Sequence, residues 1–406
     1  MIEISEHGGI FGGSKKINLE TSEVYEFGET IAANDTVEVR RTLDNFTTHG
    51  STPGVDISCI AVSPDGVYVA FGSTSASGGY RLFMYKRQPN GDLYKLPSAS
   101  IPHTGTVYTV AWSPDGNHLF VGGTTQSLYR RMGDDTFMLL ADLPGMPTTY
   151  IYEAAYSPDG TMLALAGSSS TGPLHIYSIS GETYTKQTAP APGDAGMTLA
   201  WSPDSQHLAF TKSTPRYLII YKRVGNTVEF LTDMNTSGAS SYKRSLQYSP
   251  DGSVLTMAGS STFPFVFKRT GDTYTVLDPL DTYDKNNARF APYTIRWTPD
   301  GKYMYVAGIH SDNKVDAYRY SNGKFYLMPP PVLKYGVSVN QMDFSPTGDY
   351  LYTGLQASPY SVMAKRPVKA FKANGRQNRV AEVEAQGYAM LGGNVGDTKK
   401  IITLFK

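Results

Sequence analysis

The chain has 406 residues, with 36 Lys+Arg against 36 Asp+Glu, and its formal net charge is zero. That length suits two or three ordinary domains, or one large repeat domain with an appendage, and the zero balance argues against nucleic-acid binding, which needs a basic excess. Charged residues make up only 18 %, Gly (40) and Pro (25) are plentiful, and the single cysteine excludes a disulfide framework or a thiolate metal cage, so turns and strands are expected rather than helices.

The chain begins MIEISEHGGIFGG, with no basic region followed by an apolar run. No stretch approaches the ~18 apolar residues of a membrane helix, so a soluble protein made in the cytosol, without signal peptide or membrane insertion, is expected. Residues 1–50 hold EVYEFGETIAANDTVEVRRT, two strand-like runs around a small polar turn. Cys59, in ISCIAV, reads as a small core residue of an apolar strand.

From there the sequence repeats. SPDG or a near copy occurs seven times, with prolines at Pro64, Pro114, Pro158, Pro203, Pro250, Pro299 and Pro346, spaced 50, 44, 45, 47, 49 and 47 residues apart. The fourth copy is SPDS, the sixth TPDG and the seventh SPTG. An aromatic lies two residues before the proline in six copies (Trp112, Tyr156, Trp201, Tyr248, Trp297, Phe344), and Val62 lies there in the first. A short strand follows each copy (YVAFG, HLFVGG, MLALAG), then a Gly/Ser/Thr loop, a third strand (LFMYKR, LHIYSI, LIIYKR), a tight turn and a fourth strand such as TYTVL. Within the SPDG turn, proline presets φ, aspartate bonds the backbone two residues on, and glycine accepts positive φ. Four antiparallel strands per ~46 residues, repeated seven times, is the pattern of a β-propeller blade, and blades bury their faces only by stacking round an axis. The aromatics before each proline are expected between neighbouring blades.

After the repeats, residues 373–406 hold VAEVEAQGYAMLGGNVGDTKKIITLF, again strand, turn, strand. Neither end is long enough for its own core, but together they suffice for a small β-module. The chain is therefore expected to be all-β: a seven-bladed β-propeller at 51–372, with a small β-module formed by the N- and C-terminal segments, 1–50 and 373–406. The competing arrangement has the N-terminal strand completing the last blade and the C-terminal piece as a plain β-tail.

Two resemblances follow. Over about residues 55–372 the chain resembles the WD-repeat and related Pro-Asp-Gly propellers, although the Gly-His and Trp-Asp dipeptides of true WD repeats are absent; this implies the fold and no partner. The ends are similar to the two halves of small β-barrel modules in virion proteins of tailed bacteriophages. Gly28, Glu29, Asn34, Asp35 and Val37 match the first half, and Gly387, Tyr388, Ala389, Gly392, Gly393, Gly396 and Asp397 the second. Asn34 stands where glycine is usual.

Little in the chain points to catalysis. The turn aspartates Asp65, Asp115, Asp159, Asp204, Asp251 and Asp300 are accounted for by turn chemistry rather than as a metal ring. Of the seven histidines (His7, His49, His103, His118, His175, His207, His310), only His118 and His207 share a register, on non-adjacent blades. No HExxH, GxSxG or GxxxxGK[ST] motif is present, and the repeats look too regular to single out a specialised blade. No catalytic residue, metal or cofactor is expected. The acidic loop Asp278–Asn287 lacks the order of a calcium loop and reads as solvated. Five third strands end in a basic pair (Lys86-Arg87, Arg130-Arg131, Lys222-Arg223, Lys268-Arg269, Lys365-Arg366). These read as charge that blocks edge-to-edge association, in preference to a ring for an anionic ligand.

The loops between second and third strands and between blades open on one face by strand order. That face is neutral and rich in Ser, Thr, Pro and Tyr, which suits protein or glycan contact. The candidate binding residues are Tyr80, Tyr150, Tyr152, Tyr217, Tyr283, Tyr293 and Tyr360. The function expected is a non-enzymatic bacteriophage virion structural protein, made in the host cytoplasm. Its end module would anchor to capsid, neck or tail proteins, and its propeller would project as a decoration or host-recognition head for a surface glycan or protein. The alternatives are a cytoplasmic WD-repeat-like interaction scaffold and, behind it, a propeller lactonase or hydrolase.

Overall fold

The computed structural model describes residues 53–89, 91–98, 101–168, 172–190, 193, 195–212, 217–235, 243–259, 264–277, 291–309, 314–321, 323–327, 333–334 and 336–365, and the strand backbones at 2–4, 15–17, 23–27, 36–41, 47–48, 368–372, 383–389 and 398–405. Among these the secondary structure is β, without an α-helix. Contacts divide the chain into residues 46–364 and a discontinuous unit of 1–45 with 365–406.

The first unit is a seven-bladed β-propeller. Six blades are antiparallel sheets whose strands follow one another in sequence, the sixth with an extra strand at Leu333–Lys334. The seventh is built of Val339–Phe344, Tyr350–Leu355, Ser361–Lys365 and, from the other end of the chain, Thr47–Thr48. The innermost strands are Cys59–Val62, Val107–Trp112, Ile151–Tyr156, Gly196–Trp201, Lys243–Tyr248, Ala291–Trp297 and Val339–Phe344, and each contacts the next, the seventh meeting the first. The ring is closed.

The serine of the repeat does more than the proline in closing each turn. Ser157 Oγ donates to Asp159 Oδ1 (2.6 Å) and accepts the Met162 N–H (2.9 Å), while Asp159 Oδ1 also takes the Thr161 N–H (3.1 Å). The same bonds recur at Ser63, Ser113, Ser202, Ser249 and Thr298. In the seventh copy Thr347 replaces the acid and meets Ser345 at 3.3 Å. Glycine takes the left-handed position that ends the turn, and in the SPDS copy Ser205 is forced into it with φ of 59°. There Ser205 Oγ accepts the Asp159 N–H of the neighbouring blade at 3.0 Å.

The core lies between blades. Trp112 packs with Cys59, Tyr68 and Leu82 of the blade before it, and Trp201, Tyr156, Tyr248 and Trp297 repeat the arrangement. Phe344 meets Tyr305 edge-on at 5.1 Å. Burying one such side chain contributes roughly 1.5–3 kcal/mol. Trp112 and Trp201 also donate their indole N–H to the Ala61 and Ala155 carbonyls of the preceding blade. Cys59 is sealed in this packing, and burial pushes its thiol up to about 12.

The basic pairs turn out to be clamps between blades. Arg131, Arg223 and Arg269 bind the turn aspartates Asp65, Asp159 and Asp204 of the preceding blades at 2.5–2.7 Å. Their neighbours reach the other way: Lys86 to Asp135, Arg130 to Glu182 and Lys222 to Asp272 of the following blades. Arg87 donates to the Gly66 carbonyl and lies over the Tyr350 ring. These charges, which the sequence assigns to edge blocking, are also engaged in ion pairs between neighbouring blades. Arg366 lies outside the described residues.

In the discontinuous unit, strands from both ends form one closed barrel. Glu23–Phe27 pairs in parallel with Val368–Lys372, which pairs with Thr36–Arg41, then Val383–Ala389, then Thr398–Phe405, which returns to Glu23–Phe27. Val37 stands opposite Gly387, and Thr36 opposite Tyr388. The division falls at 45/46 and 364/365, whereas the repeat pattern suggested 50/51 and 372/373, because Thr47–Thr48 pairs into blade 7 and Val368–Lys372 into the barrel. Gly28, Glu29, Asn34, Asp35, Gly392, Gly393, Gly396 and Asp397 lie outside the described residues.

Candidate functional site

The axis of the ring is lined by the innermost strands, and their inner edges carry backbone groups with no further strand to pair with. In several blades a side chain five or three residues before the repeat proline answers this need. Thr109 Oγ1 accepts the Ala154 N–H of the next blade (3.2 Å), Ser245 Oγ the Ile295 N–H (3.2 Å), Gln247 Oε1 the Trp297 N–H (3.0 Å) and Asp343 Oδ2 the Val62 N–H (2.9 Å).

At the position three before the proline, blades 1–4 have Ala61, Ala111, Ala155 and Ala200, and blades 5–7 have Gln247, Arg296 and Asp343. One side of the axis is therefore small and apolar and the other polar and charged, with Arg296 Nε 3.5 Å from Asp343 Oδ1. Five before the proline, blade 3 places Glu153 among threonines: Thr109 Oγ1 donates to its Oε1 (3.1 Å) and Thr198 Oγ1 to its Oε2 (3.4 Å). Glu153 keeps some accessible surface toward the axis, yet burial raises its carboxyl to about 7 against the opposing pull of Arg296 and these hydrogen bonds. Burial likewise raises Asp343. Blades 3 and 5–7 are thus specialised, contrary to the reading of uniform repeats. The signal was present in the aligned registers, but only the ring geometry shows that they face the axis.

Six residues before the proline, blades 2–7 carry a β-bulge near the loop-face end of the innermost strand. The bulged residues are Tyr108, Tyr152, Met197, Arg244, Tyr293 and Asn340. Asn340 donates to the Ile57 carbonyl (3.0 Å), and Ser58, at the matching place in blade 1, to that of Val107 (2.6 Å), so the collar is stitched from blade to blade. Tyr108 lies 5.5 Å from Tyr152 and 6.4 Å from Tyr150 between ring centroids.

Of the tyrosines named from sequence, Tyr150 and Tyr152 come together, with Tyr108 as the partner that sequence reasoning missed. Tyr293 occupies the same collar register on blade 6. Tyr80 packs instead against the core between blades 7 and 1, and Tyr360 sits on a loop of blade 7 with φ of 62°. Tyr217 is described only as strand backbone, and Tyr283 and the Asp278–Asn287 loop lie outside the described residues. The described histidines do not converge. Burial lowers His103 and His175 to about 4, and lowers His118 and His207, which stack edge-on against Tyr184 and Tyr274. Among the described residues no group of three His, Cys, Asp or Glu is placed to hold a metal ion.

A closed ring of seven antiparallel blades, six of them with a Pro-Asp turn, defines a seven-bladed β-propeller. The family model described as eukaryotic translation initiation factor eIF2A matches residues 69–232, from the second strand of blade 1 into the fourth strand of blade 4. No curated protein matches the sequence. Among solved structures the chain is similar to a hydrazine synthase chain of Kuenenia stuttgartiensis, with a TM-score of 0.61 at 16 % identity, over 78 % of this chain and 97 % of that one. It is also similar to the Cps50 (Swd1) β-propeller domain of Myceliophteria thermophila, with a TM-score of 0.57 at 12 % identity, over 80 % and 99 %. At such identities the likeness shows the fold alone.

Proposed function

We propose that this is a binding protein and not an enzyme, with the loop face of the propeller as its recognition surface and the end barrel as its attachment module. In this reading it is a structural component of a tailed-bacteriophage particle, acting as a decoration or host-recognition protein. The observation that carries it is the discontinuous barrel. Strands before and after the propeller pair with each other, so a whole interaction domain is carried within one loop of a small module. The likeness of the two ends to virion modules supplies the particle. The axial carboxylates support a non-enzymatic role, because Glu153 and Asp343 are engaged in bonds that join neighbouring blades. Mass spectrometry of purified particles tests the proposal; the chain is expected at a fixed ratio to the major capsid protein, and its absence would refute the reading.

A second reading, a cytoplasmic scaffold binding peptides on the same face, draws on the match of blades 1–4 to a translation-factor model. It requires the chain to co-purify with cytoplasmic proteins and to be missing from particles.

A further inference from the structure

Most aromatic side chains of the propeller are spent between blades, but Tyr108, Tyr150 and Tyr152 belong to none of those cores. They gather at the loop-face mouth of the axis, two of them on β-bulges. We propose that this trio is a carbohydrate cradle that takes a pyranose ring of a neutral glycan. The inference rests on the recognition-surface reading above and gives that surface a ligand class.

Three observations carry it. The first is ring geometry. The Tyr108 ring is inclined 57° to Tyr150 and 51° to Tyr152, so the rings are tilted rather than stacked on each other. Tyr150 is 48 % exposed. A pyranose offers a face of C–H groups that packs on such rings and a rim of hydroxyls that needs donors and acceptors, which phenols supply at the same site.

The second is rigidity. Tyr150 N–H donates to Ser168 Oγ (3.1 Å), and Ser168 N–H donates back to the Tyr150 carbonyl (2.8 Å). From blade 2, Gln126 Nε2 donates to both the Gly123 and Thr149 carbonyls. The tyrosine loop is pinned on both sides before any ligand arrives, which reduces the ordering cost of binding.

The third is charge. Segments 104–109, 123–127 and 148–152, together with Ser168, contain no Asp, Glu, Lys or Arg and offer hydroxyls and an amide instead, while the charged side chains that reach them are already bonded, Arg81 to the Thr104 carbonyl and Glu153 to Thr109 and Thr198. That favours a neutral sugar over a sialylated or sulfated one.

The test is calorimetric titration of the full chain with neutral oligosaccharides: maltoheptaose, cellohexaose, mannohexaose and chitohexaose. At least one is expected to bind, Tyr150→Ala and Tyr152→Ala each weakening it about tenfold. Tyr150 is surface-exposed, so Tyr150→Ala leaves the fold intact, and Tyr150→Phe keeps the ring and is expected to stay within about threefold of the parent. Silence across the panel overturns the proposal, as does binding undiminished in both alanine variants. A silent panel with capture of a protein that Tyr150→Ala abolishes overturns it in favour of a protein partner. Sugar binding by a chain missing from particles would sink the particle reading and leave the cradle standing; a particle-borne chain with a silent panel does the reverse.

Discussion

Glu153 is a carboxylate held between the hydroxyls of Thr109 and Thr198. Burial raises its carboxyl from 4.5 to about 7, so between those values the folded chain holds a proton that the unfolded chain releases. Its contribution to stability is complete below the unfolded value and is lost as pH climbs through about 7. Glu153→Gln stays uncharged, so the variant is expected to gain on the parent between pH 5 and pH 8 by on the order of 1–3 kcal/mol. Urea melts at the two pH values measure this, and an unchanged gap would contradict it. Ser157 and Arg223 make a contrasting pair at one turn. Burial pulls Asp159 upward, but the Ser157 hydroxyl, the Thr161 amide and hydroxyl and the Arg223 guanidinium overcome it and hold the carboxyl at about 2. Ser157 is fully buried and Asp159 is 40 % exposed. Thermal melts of single variants should show Ser157→Ala costing roughly 1–3 kcal/mol, because it orphans the Met162 N–H, and Arg223→Met costing under about 1 kcal/mol. The proline and aspartate of this turn were legible from local chemistry. The arginine was not, since it arrives from a strand 64 residues further along.

Strands and turns were legible where their signal is local. The SPDG spacing counts blades because each turn closes with residues inside five positions of the proline. The closing strand is not legible in the sequence because Thr47–Thr48 is two residues long and pairs with Val362–Met363, more than 300 residues away, through backbone bonds that need no motif. This predicts that residues 46–364 fold alone with one cooperative transition, and that 53–364 shows faster amide exchange over residues 361–364; equal exchange in both would mean the short strand contributes nothing. The second strands also carry a size limit. A Cβ at Gly72 would lie 2.4 Å from Cys59 Sγ and 2.5 Å from Val107 Cγ1, where blades 1 and 2 meet near the axis. Gly72→Val is expected to destabilise by roughly 1–3 kcal/mol in a chemical melt, whereas the same change at exposed Gly133, with nothing near, should be tolerated.

At the scale of the whole molecule, the proposed function divides the work between ring and barrel: recognition by the loops of the ring, attachment by the barrel built from both ends. Ring architecture was readable because repetition makes it redundant, whereas the axial set Glu153, Gln247, Arg296 and Asp343 was not, because each member looks unremarkable within its own blade. Only stacking the seven registers side by side turns four scattered residues into one lining. The division of labour is tested most directly by incorporation. Particles should be assembled in cells supplying either the full chain or residues 46–364, and the amount retained after purification measured by quantitative mass spectrometry. The full chain is expected on the particles and the isolated propeller at least about tenfold less, the loss of an attachment worth about 1.4 kcal/mol or more. Equal retention of both, or retention of neither, would contradict an attachment role for the barrel.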